Sequence, residues 1–303
     1  MILLGILAAS GAGITVGVAG YFAGGSETTT VDKISFPSDS ISALGTGLSS
    51  ARASATGMSN SGVAGYSAGG YSDTATVDKF AFPSDSRSTL GTGLSAAVFG
   101  AQGFSNSGVA GYSAGGFSNR STVDKFAFPS DSRSTLGTGI SSARQGGAGM
   151  SNSGVAGYVA GGSTTSNNSG NQSTTDKFVF PSDSRTTLGT GLSSARHQMS
   201  GFSNSGVAGY VPGGTTGSRV STVDKFAFPG DTRTTLGTGL SAATTGVGGV
   251  SDSGVAGYAG GGNTGSNVST VDKFAFPSDT RTTLGTGLSS SRSFIAGFQN
   301  EAL

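Results

Sequence analysis

Apolar and polar residues alternate along short segments that recur throughout the chain. In the segment "TVDKFAFP" (222–229), Asp224, Phe226 and Phe228 share one face of an extended strand and the residues between them share the other. Glycine- and serine-rich phrases bound each such segment, and no window keeps a helical apolar period. The pattern predicts β-strands and turns, without helices.

One phrase occurs six times in a fixed register. Its Gly-Tyr landmark and the Asp of its "DK" pair fall at Tyr21, Tyr66, Tyr112, Tyr158, Tyr210 and Tyr258, and at Asp32, Asp78, Asp124, Asp176, Asp224 and Asp272. Each of the first five Asp residues precedes the next landmark Tyr by 34 residues, whereas 6, 7, 7, 13, 9 and 9 residues separate the Gly-Gly doublets from the "DK" pairs. A slip of one residue would turn every side chain of a strand to the opposite face of its sheet. The constant spacing therefore indicates that one loop can vary in length while the strands keep their register.

Each repeat divides into four predicted strands, called a to d. In the fifth repeat these are strand a (196–202), a "SNSG" turn (203–206), strand b (207–214), strand c (222–229) and strand d (233–241). Units of this size cannot bury their own faces, so they must stack on one another. Interblade packing is expected to rely on Leu and on the strand-c Phe residues.

The two ends of the chain indicate that the stack closes into a ring. An open solenoid would need atypical caps, but "SRSFIAGFQN" (291–300) matches strand a and has no strand b after it. It is expected to complete the first blade, although residues 8–14 compete for that place. The prediction is an all-β, six-bladed β-propeller of four-stranded antiparallel blades in a single domain (14–303), with repeats beginning near 14, 52, 98, 144, 196 and 244, preceded by an apolar segment (1–13).

The repeats resemble kelch repeats. They share an Arg-bearing turn into strand a, an apolar-Gly-Tyr strand b that ends in Gly-Gly, and an aromatic strand c. The resemblance implies a propeller, although the usual strand-d tryptophan is replaced by Leu44, Leu90, Leu136, Leu188, Leu236 and Leu284. The wording "VDKFxFPSDSxxxLGTGLSSAR" is also similar to kelch-like repeats in virion proteins of tailed phages, especially those of cyanobacteria and other marine bacteria.

Composition narrows the class of protein. Glycine accounts for 55 of 303 residues, but 18 Phe and 7 Tyr and only 11% charged residues favour a packed fold over disorder. A net charge of +1 gives no attraction to phosphate, so neither a nucleic acid nor an anionic membrane is expected as a partner. The absence of Cys excludes disulfides and thiolate metal sites.

The polar repeats indicate architecture rather than catalysis. Twelve of the sixteen acidic residues occupy two repeated positions, whereas glycosidase chemistry needs two carboxylates in unlike environments. The "PSDS" aspartates are expected to bond their own backbone in a turn. His197, the only histidine, has no nucleophile beside it. We therefore expect no enzyme activity, cofactor or metal.

The variation between repeats falls on one rim of the expected propeller, where the b–c and d–a connections emerge. Two interpretations stay open: a binding face for a sugar or a protein, or loops that drift without function. The candidate binding residues on this rim are Tyr71, Phe117, Arg120, Asn167, Asn168, Asn171, His197, Arg219, Asn263 and Asn267.

The apolar start of the chain is the candidate docking segment, through Ile2, Leu3, Leu4, Ile6 and Leu7. It is too short to span a membrane; the alternatives are a strand against the first blade and a signal peptide.

Three functions follow as hypotheses. The first is a non-enzymatic structural or host-attachment component of a phage virion, with other virion proteins and a host surface glycan or protein as partners. The second is a cellular kelch-type interaction module, secreted or at the cell surface. The third is a glycan-active enzyme. Homo-oligomerisation stays open.

Overall fold

The computed structural model describes residues 18–301 except 73, 119 and 168. Within this part of the chain there are 24 strands in six four-stranded antiparallel sheets, and no helix that could cross a membrane. The predicted docking residues 2–7 and Asn168 lie outside the described residues.

The strands are assigned to six blades. Blade 1 contains β1 (Ala19–Ala23), β2 (Val31–Ser35), β3 (Ser40–Ala43) and β24 (Ala296–Asn300), and blade 2 contains β4 (Thr56–Asn60), β5 (Ala64–Ala68), β6 (Val77–Ala81) and β7 (Ser86–Thr89). Blade 3 contains β8 (Gln102–Asn106), β9 (Ala110–Ala114), β10 (Val123–Ala127) and β11 (Ser132–Thr135), and blade 4 contains β12 (Ala148–Asn152), β13 (Ala156–Ala160), β14 (Thr175–Val179) and β15 (Ser184–Thr187). Blade 5 contains β16 (Phe202–Asn204), β17 (Ala208–Pro212), β18 (Val223–Ala227) and β19 (Thr232–Thr235), and blade 6 contains β20 (Gly248–Asp252), β21 (Ala256–Gly260), β22 (Val271–Ala275) and β23 (Thr280–Thr283).

The ring closes through the C-terminal strand, as predicted. β24 pairs antiparallel with β1 and places Phe298 opposite Tyr21. The first blade therefore takes strands b, c and d from the start of the chain and strand a from its end. The prediction of an all-β, six-bladed propeller is confirmed.

The predicted bounds of strands a and d were wrong. In blade 5, strand a is β16 (Phe202–Asn204), so the "SN" of the supposed turn belongs to the strand. The chain before it is drawn inward because the buried Arg196 donates hydrogen bonds to the carbonyls of Gly213 and Val211. Strand d ends at Thr235, and the "LGTGLS" phrase after it lies against the b–c loop, where Leu240 donates to the Ser221 carbonyl.

Neighbouring blades pack through aromatic residues of strands b and c. Tyr158 of blade 4 stacks on Phe228 of blade 5 with ring centroids 4.9 Å apart, in one buried cluster with Phe226 and Leu192. Equivalent clusters join the other blades, and in blade 1 Ile34 and Phe36 stand at the positions of Phe226 and Phe228. The expectation that Leu and strand-c Phe residues replace the missing tryptophan is borne out by these contacts.

The "PSDS" aspartates bond across the blade boundary rather than to their own turn, which corrects the sequence prediction. Asp183 lies in the left-handed region at φ 55° and presents both carboxylate oxygens to blade 3. There it accepts hydrogen bonds from the Tyr112 hydroxyl (2.7 Å) and the Lys125 ammonium (2.6 Å). The same Tyr–Asp–Lys trio recurs at every boundary between blades, so six such trios join neighbouring blades around the ring.

Four of the six "DK" aspartates pair with a fully buried arginine of a d–a loop: Asp32, Asp78, Asp176 and Asp224. Asp224 accepts hydrogen bonds from Arg196 (2.9 Å), and both side chains are fully buried. Burial alone would raise the pKa of Asp224, but the Ser193 backbone N–H, Arg196 and Thr235 bring it below its usual value. Since removal of one partner would leave an unpaired buried charge, these pairs hold the d–a loops in place.

Candidate functional site

The two rims of the propeller are chemically different. We call the side of the a–b and c–d turns the constant rim and the side of the b–c and d–a connections the variable rim. The first described residue, Val18, precedes β1 at the constant rim, and β24 ends there. Both ends of the described chain therefore emerge opposite the variable rim.

Side chains of the constant rim are used to join blades. The Asn60 carboxamide oxygen accepts a hydrogen bond from the Gly108 N–H of blade 3 (3.0 Å), and the Ser105 hydroxyl accepts one from the Ser59 N–H (2.9 Å). The large hydrophobic residue exposed on this rim is a repeated valine in five blades, between 45 and 48% exposed: Val63, Val109, Val155, Val207 and Val255. This rim therefore repeats the same surface from blade to blade.

The variable rim holds different side chains on a repeated backbone. In each blade the residue before the left-handed d–a position shares backbone hydrogen bonds with the first residue after the Gly-Gly doublet. These pairs are Ser293–Ser26, Ala53–Tyr71, Phe99–Phe117, Gln145–Ser163, His197–Thr215 and Thr245–Asn263. Variation at these twelve positions is thus a change of side chain at a fixed place on the backbone.

The following residue in each d–a loop links blade to blade. These six residues all have left-handed backbones: Ser54, Gly100, Gly146, Gln198, Gly246 and Phe294. Backbone hydrogen bonds join these positions around the ring: for example, Gly100 donates to Ser54 (2.8 Å) and Phe294 to Gly246 (2.6 Å). At one link the donor is Met199, the residue after Gln198, which donates to Gly146 (3.2 Å). At Ser54, Gln198 and Phe294 this conformation is uncommon for a non-glycine residue, and such strain concentrates at functional sites.

Together these loops line a bowl at the mouth of the central channel, with a volume of about 720 Å³. One side, which we call the aromatic wall, consists of Tyr71, Phe99 and Phe117. Phe99 and Phe117 stack with centroids 4.4 Å apart, and Tyr71 meets Phe99 edge-on at 5.3 Å. Tyr71 is half exposed, so its ring is accessible from the bowl.

The opposite side, which we call the polar wall, consists of Gln145, His197, Gln198, Asn263 and Asn267. Asn263 donates to the Asn267 carboxamide oxygen (3.1 Å), and Asn267 donates to the Ser26 hydroxyl (2.9 Å). His197 is 4% exposed. Burial lowers the pKa of His197, against the opposing effect of the Thr215 carbonyl, so the imidazole is neutral at neutral pH.

The structure brings together half of the predicted site residues. Tyr71, Phe117, His197, Asn263 and Asn267 line the bowl. The others that are described lie outside its lining: Arg120 is half-buried, Asn167 bonds Ser169 within its own loop, Asn171 donates to the Thr215 carbonyl, and Arg219 donates to Asn263 at the bowl's edge.

Sequence reasoning missed Phe99, Gln198 and Phe294, which also line the bowl. Their signal lay in the d–a segments, which vary between repeats. In each d–a loop one variable residue stands at a fixed position, and the residue after it is glycine or another residue in the left-handed conformation. This pattern would have identified them.

The described lining of the bowl is mostly aromatic and neutral polar. Glu27 is the one carboxylate among the described residues that line it, and no Lys or Arg is among them. The described residues contain no group of three or more His, Asp or Glu side chains placed to hold a metal ion. Aromatic faces, amides and hydroxyls are the groups presented to a ligand.

No known family model matches the chain, and no curated protein matches it. Among solved structures, the one titled "Structure of YjhT" is similar, with a TM-score of 0.70 and 15% sequence identity over 90% of this chain and 98% of that chain. At that identity the likeness shows the propeller fold alone.

Proposed function

We propose that this chain is a non-enzymatic binding propeller of a tailed-phage virion, whose variable rim contacts a ligand on the host-cell surface. The bowl carries the proposal. Six blades with one backbone place unlike side chains at the twelve positions of the backbone pairs, and nine of these twelve positions line the bowl. Loops that carry varied side chains on a rigid scaffold are typical of binding sites.

The carboxylates support a binding role over catalysis. The repeated aspartates are used in the Tyr–Asp–Lys trios and the buried pairs, and Glu27 has no second carboxylate beside it in the described lining of the bowl. Hydrolysis of a glycosidic bond needs two carboxyl groups flanking one site.

The position of the chain ends supports attachment to a particle. Val18, the first described residue, lies at the constant rim, opposite the bowl. If Ile2, Leu3 and Leu4 anchor the chain to other virion proteins, the bowl faces away from the particle and toward the host. Many copies on one particle would add weak single contacts into avidity.

The test is binding of the fluorescently labelled protein to cells of cyanobacteria and other marine bacteria. The bowl variant is Phe117→Ser, and the matched control is Val109→Ser on the constant rim of the same blade. We expect the wild-type protein and the control to bind at least one strain and the bowl variant to bind weakly. Equal binding by all three, or by none, contradicts the proposal. Peptide sequencing of purified virions tests the virion assignment separately.

A further inference from the structure

We infer that the ligand of the bowl is a neutral oligosaccharide, one of whose sugar rings packs against the aromatic wall while its hydroxyl groups bond the polar wall. The inference rests on the proposed function and deepens it by naming the ligand class. Three features carry it: an accessible aromatic face, a facing set of neutral groups that both donate and accept, and the charge of the bowl.

The aromatic wall is a surface that is not needed for the ring. The six landmark tyrosines are buried with their hydroxyls bonded to aspartates, whereas Tyr71 is the one tyrosine that is 50% exposed. No other blade has aromatic residues in both positions of its backbone pair, as Phe99 and Phe117 of blade 3 do. The face of an aromatic ring is electronegative and attracts weakly positive C–H groups, such as those on the apolar face of a sugar.

The polar wall matches hydroxyl groups. A carboxamide offers two donors and an acceptor, and a neutral imidazole offers one of each. A sugar hydroxyl also donates and accepts, so it can bond the Gln198 carboxamide in either sense. It can also accept from the remaining N–H of Asn263, whose carboxamide oxygen already accepts from Arg219 and from the Gly265 N–H. His197 is buried against the bowl, and its Nδ1 makes no hydrogen bond to a described residue.

The composition of the bowl disfavours an acidic ligand. Glu27 is the only acidic residue in the described lining, and no Lys or Arg is in that lining. Arg219 lies at the edge, where its guanidinium donates to Asn263 (2.8 Å). A carboxylate or sulfate entering the bowl would lose its hydration without a charged partner inside, which is costly.

The dimensions favour a short oligosaccharide over a protein. About 720 Å³ falls within the range of roughly 300–1,000 Å³ typical of small-ligand sites. A stable protein partner would instead need about 800 Å² of complementary surface on this chain. The bowl is concave and enclosed by six loops, which suits a chain of a few sugar rings that enters end-on.

The experiment uses oligosaccharides released from the envelope of cells that the protein binds, separated by anion exchange into neutral and acidic fractions. Each fraction is titrated by saturation-transfer NMR into the full-length protein and into three variants: Phe117→Ser, Tyr71→Ser and the control Val109→Ser. Serine stands at the equivalent position in blades 1 and 4 (Ser26 and Ser163), so the first two variants keep a residue that this backbone already accepts.

We expect binding in the neutral fraction, weakened roughly tenfold by Phe117→Ser and by Tyr71→Ser and unchanged by Val109→Ser. Binding in the acidic fraction alone, or binding in no fraction while whole cells are still bound, overturns the sugar inference and leaves the proposed function standing. Loss of cell binding on protease treatment would then identify a protein ligand. If neither cells nor fractions are bound, the proposed function fails together with the inference.

Discussion

The hydroxyl of Tyr21 donates a 2.6 Å hydrogen bond to the carboxylate of Asp85, which belongs to the next blade and lies 64 residues away in sequence. Lys33, on the strand beside Tyr21, donates to the other oxygen of the same carboxylate (2.7 Å). The contact between blades 6 and 1, formed by Tyr258 and Asp39, has the same geometry. The boundary that closes the ring is therefore stabilised by the same hydrogen bonds as the other five.

Loss of the carboxylate of one Tyr–Asp–Lys trio is expected to destabilise the propeller. Asp183→Asn keeps one acceptor for Tyr112 but turns an amide toward the Lys125 ammonium. We expect the free energy of unfolding to fall by about 1–2 kcal/mol. Urea denaturation measures this change. The control Ser182→Ala, in the same exposed turn, should change it by less than about 0.5 kcal/mol; equal effects would show that the trio is not a fastening.

Blade 1 lacks one hydrogen bond that the other blades have. Thr89 donates to the buried Asp78 (2.8 Å), and Thr residues do so in four further blades, but Ala43 stands at this position in blade 1. The Asp32 Oδ1 atom accordingly makes no hydrogen bond to a described residue. Ala43→Thr should stabilise the protein by about 1 kcal/mol.

The reverse change, Thr89→Ala, is the matched control and should cost a similar amount. Both are measured as shifts in the denaturation midpoint at constant slope. No gain from Ala43→Thr would mean that blade 1 cannot place the hydroxyl against Asp32.

Glycines on strand a set how closely the blades approach the channel axis. A Cβ atom at Gly149 would overlap the backbone carbonyl of Gly103 on the neighbouring blade, and an equivalent contact recurs around the ring. Gly149→Ala should therefore cost about 1–3 kcal/mol, through overpacking against backbone that cannot move. Thermal unfolding measures it. Gly91→Ala is the control, because a Cβ there meets no atom within 4 Å and stability should change little.

Stability should depend on pH through Glu301, which stands where the other blades carry a serine of the constant rim. Burial raises the pKa of this carboxyl from 4.5 to about 7, and Asp252 adds to the effect, against hydrogen bonds from Ser251 and Gln299. Because the folded state holds the proton more tightly, stability falls as pH rises from about 4.5 to 7, by about 2–3 kcal/mol.

Glu301→Gln should remove most of that dependence and leave the protein more stable than wild type at neutral pH. Denaturation midpoints at several pH values from 4 to 8 measure it. A wild-type stability that is level across this range, or a Gln variant with the same slope, contradicts the assignment to Glu301.

The sequence was sufficient to predict the architecture because the repeats can be aligned with one another and show which spacings are constant. The constant 34-residue spacing and the orphan strand-a phrase at 291–300 predicted six blades and the closing strand. The bounds of strands a and d could not be predicted, because they depend on burial of Arg196 and its equivalents, a contact between segments about 15 residues or more apart. The hydrogen bonds of Asp183 to the neighbouring blade could not be predicted either, because they depend on how the blades stack.

The bowl could be predicted only in part. Variation between repeats indicated the rim, and the structure places Tyr71, Phe117 and His197 of that rim in the lining of the bowl. It could not separate Arg120 or Asn167, which vary but lie outside the lining, from Phe99 and Gln198, which line the bowl. That distinction depends on which backbone positions face the channel, and alternation along strands does not extend into the loops.

If the varied side chains of the bowl form a recognition surface, then removing the aromatic wall should weaken binding to host cells. The decisive measurement is the affinity for host cells of a variant in which Tyr71, Phe99 and Phe117 are replaced by serine, compared with a variant in which Val63, Val109 and Val155 are replaced by serine. With both variants folded by circular dichroism, we expect the bowl variant to lose binding by at least about tenfold and the valine variant to keep it. Retained binding by the bowl variant, or loss confined to the valine variant, would mean that recognition lies on the constant rim.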